Sequence, residues 1–315
     1  MSKVLALSFG RKMSNTEVFL KEVLLKCQEA GHEIRFLRPD DMDIKPCTGC
    51  CACVVGIMSG RTNGTCIHKD DFHILEDAYY DADCVLIGSP VYETSPSGTF
   101  KTFCDRMGPS HDITFLAEAK KERLANGNPL MPDERAFKPR IGCLVGVGGA
   151  RTENWTIMTI PVMYEGLMSA GVDVIDAHMY YGAMNVQHIL GVPEEMARAD
   201  RMAENVIAAL AAETDEERAK WRGESEGACP VCHQSMFRVY PGSDHVECAI
   251  CGIHGKVSFR DGGAYYSFSK EEQDRSRMRW GGKLEHRNEI ANGAMTQKKV
   301  ENLKELKEKY LHVGE

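Results

Sequence analysis

The feature that most constrains this chain is the alternation running through its first two-thirds. Short apolar runs, of the kind that fill a strand buried on both faces, alternate with longer stretches of helical periodicity. Strands are predicted over 4–8, 33–37, 84–88, 141–147 and 172–177. A helix over 15–30 carries Val18, Phe19, Val23, Leu24 and Leu25 and is stopped by Gly31, and a last one covers 193–212. Strands separated by helices need a parallel sheet with helices on both faces. Five such units fit an α/β doubly wound sheet in the order 2-1-3-4-5.

Two segments interrupt this pattern, 39–71 with a cysteine group and the polar 109–139, and loops that long are functional or mobile. The alternating region ends near 212, followed by a linker over 213–227, a small cysteine module over 228–268 and a tail over 269–315, with a helix expected from 296 to 311. A net charge of −8 argues against a nucleic-acid partner, which needs a positive field. No apolar run is long enough to cross a membrane, and the first residues read as a strand rather than a signal peptide. A cytoplasmic chain is therefore expected. Its 13 cysteines are then not a disulfide framework. Cys27, Cys84, Cys104 and Cys143 sit in apolar stretches and read as small buried hydrophobes.

After the first strand comes Ser8-Phe9-Gly10-Arg11-Lys12-Met13-Ser14-Asn15-Thr16, running straight into a helix. A small-residue loop at a helix N-terminus offers backbone N–H groups and a positive dipole end, a cradle for a phosphate monoester. After the third strand, Gly88-Ser89-Pro90-Val91-Tyr92-Glu93-Thr94-Ser95 gives a rigid, partly aromatic wall for a flat ring, at the switch point of the sheet. The fourth strand ends in Gly146-Val147-Gly148-Gly149-Ala150, which lets backbone approach a ligand closely.

These three motifs, with Lys101, Asp105 and Arg106 behind the second, resemble the NAD(P)H-dependent FMN reductase and iron–sulfur flavoprotein superfamily, over about residues 1–212. The resemblance implies a flavodoxin-like fold and an FMN-dependent oxidoreductase. The FMN phosphate would sit against Arg11, Ser14, Asn15 and Thr16, with Ser8 and Ser95 also facing the cofactor. Its ring would lie along Pro90, Val91 and Tyr92, with Gly148 and Gly149 on the pyrimidine side. Tyr92, Glu93, Ser95 and Arg151 would shape the substrate side. The chemistry would be the flavin's, with no residue of the chain assigned a catalytic role. NAD(P)H or a ferredoxin-like donor, a small-molecule or protein redox partner, and a homodimer or dimer of dimers are expected. The alternative is a non-catalytic electron carrier or redox sensor.

Cys47, Cys50 and Cys53 follow a C-x2-C-x2-C spacing that aims three thiolates at one centre. Cys66 is the natural fourth ligand of a [4Fe–4S] cluster, and Cys51 a further candidate. The group, with Asp70-Asp71 after it, resembles the compact iron–sulfur flavoprotein motif, although twelve residues separate Cys53 from Cys66. Thiols that stay reduced are the alternative. Cys229-x2-Cys232 and Cys248-x2-Cys251, fifteen residues apart, match the two knuckles of a zinc ribbon, with a rubredoxin-like iron as the alternative.

Overall fold

The computed structural model describes residues 1–314. Its main sheet holds β1 (Lys3–Ser8), β2 (Glu33–Leu37), β3 (Cys84–Tyr92), β5 (Ile141–Val147) and β6 (Asp173–Tyr180), all parallel, in the order β2-β1-β3-β5-β6. The two-residue β4 (Ser95–Pro96) only folds back on β3, so the five parallel strands stand in the expected order. Burial on both faces explains the uninterrupted apolar runs Val4–Leu7 and Cys84–Ile87.

One face is covered by α1 (Asn15–Glu29) and α8 (Pro193–Leu210), through Phe19, Leu20, Val23, Met202 and Val206. Ser14 caps α1, and Pro193, Glu194 and Glu195 open α8, a favourable start for a helix dipole. The other face carries α3 (Phe72–Asp81), α4 (Gly98–Met107), α6 (Thr159–Met163) and α7 (Glu165–Met168). The short α2 (Ala52–Met58) lies within the first cysteine segment.

The polar segment 109–139 is not a loop throughout. It contains α5 (Ile113–Asn126), capped by Asp112, whose carboxylate accepts from Thr114 N at 2.9 Å, and ended by the left-handed Gly127. Five of its residues are charged, which masked the buried face of Thr114, Phe115, Leu116 and Ala119. The predicted tail helix is shortened to α12 (Leu303–Glu308), and an unpredicted helix, α11 (Trp280–Thr296), precedes it. Gly281 and Gly282 hid α11 from the sequence. A Cβ on Gly282 would meet Arg275 O at 2.2 Å, so the pair lets α11 start against the end of α10 (Lys270–Asp274).

A second, antiparallel sheet, β10-β9-β8-β7, follows: β7 Phe237–Val239, β8 His245–Cys248, β9 His254–Arg260 and β10 Gly263–Ser267. Its cysteines belong to the same apolar cluster as Phe100 and Leu167 of the main body. The buried Tyr164 hydroxyl donates to Cys232 O. Residues 213–227 hold α9 (Asp215–Arg218) and then run along β6, where Arg222 N donates to Ile175 O at 2.7 Å. Asn205 Nδ2 bridges Asp176 Oδ2 at 2.9 Å and Arg222 O at 3.0 Å, and the fully buried Asp176 also pairs with Arg198.

Arg140, at the foot of β5, is fully buried and donates to the carbonyls of Tyr79 (3.2 Å), Tyr80 (2.7 Å) and Lys138 (2.9 Å). Removing it orphans buried carbonyls, each costing about 1–3 kcal/mol. Arg140→Met should therefore lower stability by about 3 kcal/mol or more, read as a lower urea midpoint with FMN and metal contents of the folded protein unchanged.

Candidate functional site

In-register pairing brings the carboxyl ends of β1, β3 and β5 together: Ser8 lies beside Gly88, and Gly88 beside Val145. The loops leaving these ends lie together at one end of the sheet. The first starts at Ser8, whose hydroxyl is buried with no hydrogen-bond partner among the described residues. A Cβ on Gly10 would lie 2.8 Å from Ser14 Oγ, so the loop can be this tight only with glycine there. Met13 takes a left-handed φ of 53°, and Ser14 Oγ accepts from Glu17 N at 3.4 Å. Thr16 is buried, whereas Arg11 and Lys12 are exposed.

A turn that the sequence did not flag braces this loop. His188 Nε2 lies 3.0 Å from Met13 O, and Asn15 Oδ1 accepts from Ile189 N at 2.9 Å. Asn15 thus has a structural bond whether or not it meets a ligand. Glu17, one turn into α1, is buried. Burial alone would raise its carboxyl, but Lys21 at 2.6 Å and Arg38 hold it below the ordinary glutamate value.

The second loop is a hairpin. Val91 pairs with Pro96 and Tyr92 with Ser95, across a turn in which Glu93 (φ 47°) and Thr94 (φ 69°) are both left-handed. Two non-glycine residues in that region store backbone strain of the sort concentrated at ligand sites. Ser89 Oγ fixes its base by accepting from Ser97 N at 3.0 Å. Tyr92 stands half exposed at the tip.

The third loop is tied to the end of β6: Gly148 N donates to Tyr180 O at 2.8 Å, and Ala183 N donates to Gly148 O at 3.0 Å. A Cβ on Gly148 would meet Thr156 Cγ2 at 2.6 Å, and one on Gly149 would meet Met184 Cγ at 2.6 Å. The room these glycines leave is taken by the chain's own neighbouring loops. Arg151 donates to Asn185 Oδ1 at 2.8 Å.

Behind the first loop, Phe9 packs on Phe103 (centroids 5.6 Å apart), and Phe103 packs on Phe72 (6.4 Å). Phe72 helps line a cavity of about 490 Å³ that is also bordered by Cys47, Cys53 and Cys66. His68 lines it too, and its Nε2 is buried without a partner among the described residues. Cys50 and Cys51 lie exposed on the turn at Gly49 (φ 67°), outside this lining. The cysteine segment is closed by a clamp: buried Arg106 binds both oxygens of Asp70 (2.6 and 3.1 Å) and Lys45 O (2.9 Å). Arg123 of α5 holds the other side, donating to Asn63 Oδ1 (2.7 Å), Thr62 O (2.7 Å) and Leu130 O (2.8 Å).

The second cysteine group converges fully. The sulfurs of Cys229, Cys232, Cys248 and Cys251 all lie within 4.8 Å of one another and are buried. The two knuckles match: His233 N donates to Cys229 O at 3.0 Å and Gly252 N to Cys248 O at 2.9 Å, with His233 (φ 53°) and Gly252 (φ 73°) both left-handed. The scattered Cys27, Cys84, Cys104 and Cys143 are buried, as expected, and burial pushes the Cys27 thiol up to about 12.

The profile of the family described as NADPH-dependent FMN reductase matches residues 2–169, more than half of the chain and all three loops. The chain belongs to this family. It is a flavin-dependent oxidoreductase. A flavone synthase of Aspergillus candidus is 30% identical over 261 residues, covering 81% of this chain and 78% of the relative. An iron-sulfur flavoprotein of Archaeoglobus fulgidus is 27% identical over 210 residues, covering 66% of this chain and 92% of the relative. A solved flavone reductase superposes with a TM-score of 0.81 at 25% identity, over 98% of this chain and 96% of its own.

For a member of the FMN reductase family, the unpartnered Ser8 hydroxyl and the glycine-tight loop before α1 fit a phosphate group. The four converging sulfurs fit one tetrahedral ion. No helix among the described residues is long and apolar enough to cross a membrane.

Two outcomes follow. Hydrogen bonding from Arg106, then amides of Lys45 and Phe72, depress the Asp70 carboxyl to about 2. A depressed carboxyl stabilises the fold above its ordinary pKa of about 4, and that contribution is lost as pH falls towards 2. Pepsin cleavage within 43–71 should accelerate from pH 4 to pH 2, and in Asp70→Asn it should already be fast at pH 4. Cys232→Ser should cost the second site its metal and lower the melting temperature, with metal analysis and calorimetry as readouts.

Proposed function

We propose that this chain takes electrons from NAD(P)H or a ferredoxin-like donor and delivers them, through FMN, to a flat conjugated acceptor of the flavone kind. The observation that supports this most is the meeting of three loops at one end of the sheet, with Ser8, Gly88 and Val145 side by side. The full-length likeness to a flavone reductase favours the acceptor class.

FMN, when bound, accepts a hydride and returns electrons in pairs or singly. The chain's own residues do the rest. Ser8, Arg11, Ser14, Asn15 and Thr16 would hold the phosphate, and Pro90, Val91, Tyr92 and Ser95 the ring, with Gly148 and Gly149 beside it. Tyr92, Glu93 and Arg151 would meet the acceptor. The exposed side chains Met13, Tyr92, Trp155, Met184 and Leu190 belong to loops around this end of the sheet, which suits burial against a second copy of the chain.

The first cysteine group would hold a [4Fe–4S] relay through Cys47, Cys50, Cys53 and Cys66, a reading supported by the cavity that Cys47, Cys53 and Cys66 border and by the aromatic path from Phe72 to Phe9, while Cys50 stands exposed outside that cavity. The second would hold Zn²⁺, supported by four cysteine sulfurs in a closed, buried shell.

Anaerobically purified protein should contain about one FMN and about one zinc per chain, and about four irons with the relay. Iron near zero would reduce the first group to thiols, iron in place of zinc would make the second a rubredoxin-like centre, and no flavin would overturn the proposal. Arg11→Ala with Ser14→Ala should weaken FMN binding at least tenfold, measured by fluorescence of released flavin, without changing zinc content.

A further inference from the structure

The knuckle that carries Cys229 and Cys232 does more than close a metal site. On its outer side, His233, Gln234 and Ser235 form one wall of a cavity of about 330 Å³. The opposite wall is β6, through Ala177, His178 and Met179, and a third side is the segment from Glu153 to Pro161. Glu224, Ser225 and Gly227 close the rest, held there because Glu224 pairs with Arg201 at 2.7 Å and Asn205 grips Arg222 O.

This cavity adjoins the third loop of the flavin site. Thr156 and Met179, both in its lining, are also the side chains nearest to a Cβ built on Gly148, at 2.6 and 3.0 Å. A single layer of side chains therefore separates the cavity from the backbone of the glycine loop, and Ile157 and Tyr181 stand partly exposed beside it. At about 330 Å³ it lies within the size range of small-molecule sites, roughly 300–1,000 Å³.

Its chemistry is selective. The lining contains no lysine or arginine among the described residues. His178 is engaged with Glu195 at 2.6 Å, and His233 is stacked on Trp221 (4.6 Å, 13°). An anionic ligand would thus find no lysine or arginine in the lining and would face Glu153 and Glu224. Those carboxylates, with Ser225 and Gln234, instead suit a ligand that donates O–H bonds, while Ile157, Ile160 and Met179 supply an apolar floor for a ring.

Resting on the flavone-type reading above, we propose that this cavity between the metal knuckle and β6 is a specificity pocket for the distal, hydroxyl-bearing ring of a neutral aromatic acceptor. The metal module then acts in substrate choice, and acceptors carrying carboxylate or phosphate on that ring are rejected.

The test is equilibrium binding by calorimetry to the purified, FMN-containing protein, with 4′,5,7-trihydroxyflavone and unsubstituted flavone as probes. The trihydroxy compound should bind about tenfold more tightly. Ser225→Trp fills the cavity yet keeps the backbone carbonyl that accepts from Trp221 Nε1 at 3.0 Å. It should weaken the trihydroxy compound about tenfold while FMN and metal contents stay as in the parent. If that variant misfolds, seen as lost FMN or metal, Glu153→Gln serves instead and should narrow the difference between the two flavones. Equal affinity of the parent for both probes, or unchanged affinities in the folded variant, overturns the pocket. Absence of FMN from the purified parent overturns the functional reading, and binding of the probes to that protein still decides the pocket.

Discussion

Parallel pairing of β1, β3 and β5 is the constraint from which the rest follows. Because all three strands point the same way and pair in register, their loops leave from one end of the sheet. Helices cover both faces of the sheet, so the loops at that end are where a ligand meets the strand termini. The loops then specialise. The first is tightened by Gly10 and braced by His188, the second is a strained hairpin at Glu93 and Thr94, and the third is tied to β6 through Gly148.

Much of this was legible in the sequence because local and tertiary signals agree there. The apolar strands are buried on both sides, so no polar alternation blurs them. Ser14 and Gly10 are placed by backbone demands that hold in any context. The two matched knuckles around Cys229 and Cys248 are likewise short-range geometry, as is the cap that Ser14 makes.

What escaped the sequence depends on distant partners. α5 looked like a polar loop because its charges are satisfied elsewhere, Arg123 by carbonyls of the cysteine segment and Glu122 by Arg287 at 2.9 Å. α11 has no apolar stripe and is held by the buried pair of Lys283 with Asp112 at 3.2 Å. The bracing turn at His188 and Ile189 carries no motif, since its role is defined only by lying 175 residues from Met13. The close fit of Thr156 and Met184 over the glycines could not be read from glycines alone.

The position of α5 gives the two cysteine centres a common mechanical frame. Cys251 O accepts from Arg277 N at 3.0 Å and from the buried Ser276 hydroxyl at 3.3 Å, at the approach to α11. That helix grips α5 through Lys283 and Arg287, and α5 grips the first cysteine segment through Arg123. Each link is a backbone amide or a charged or hydroxyl side chain held by a defined acceptor, not a sliding apolar contact. α5 therefore stands between the two cysteine groups, tied to the first through Arg123 and to the approach of the second through Asp112 and Glu122.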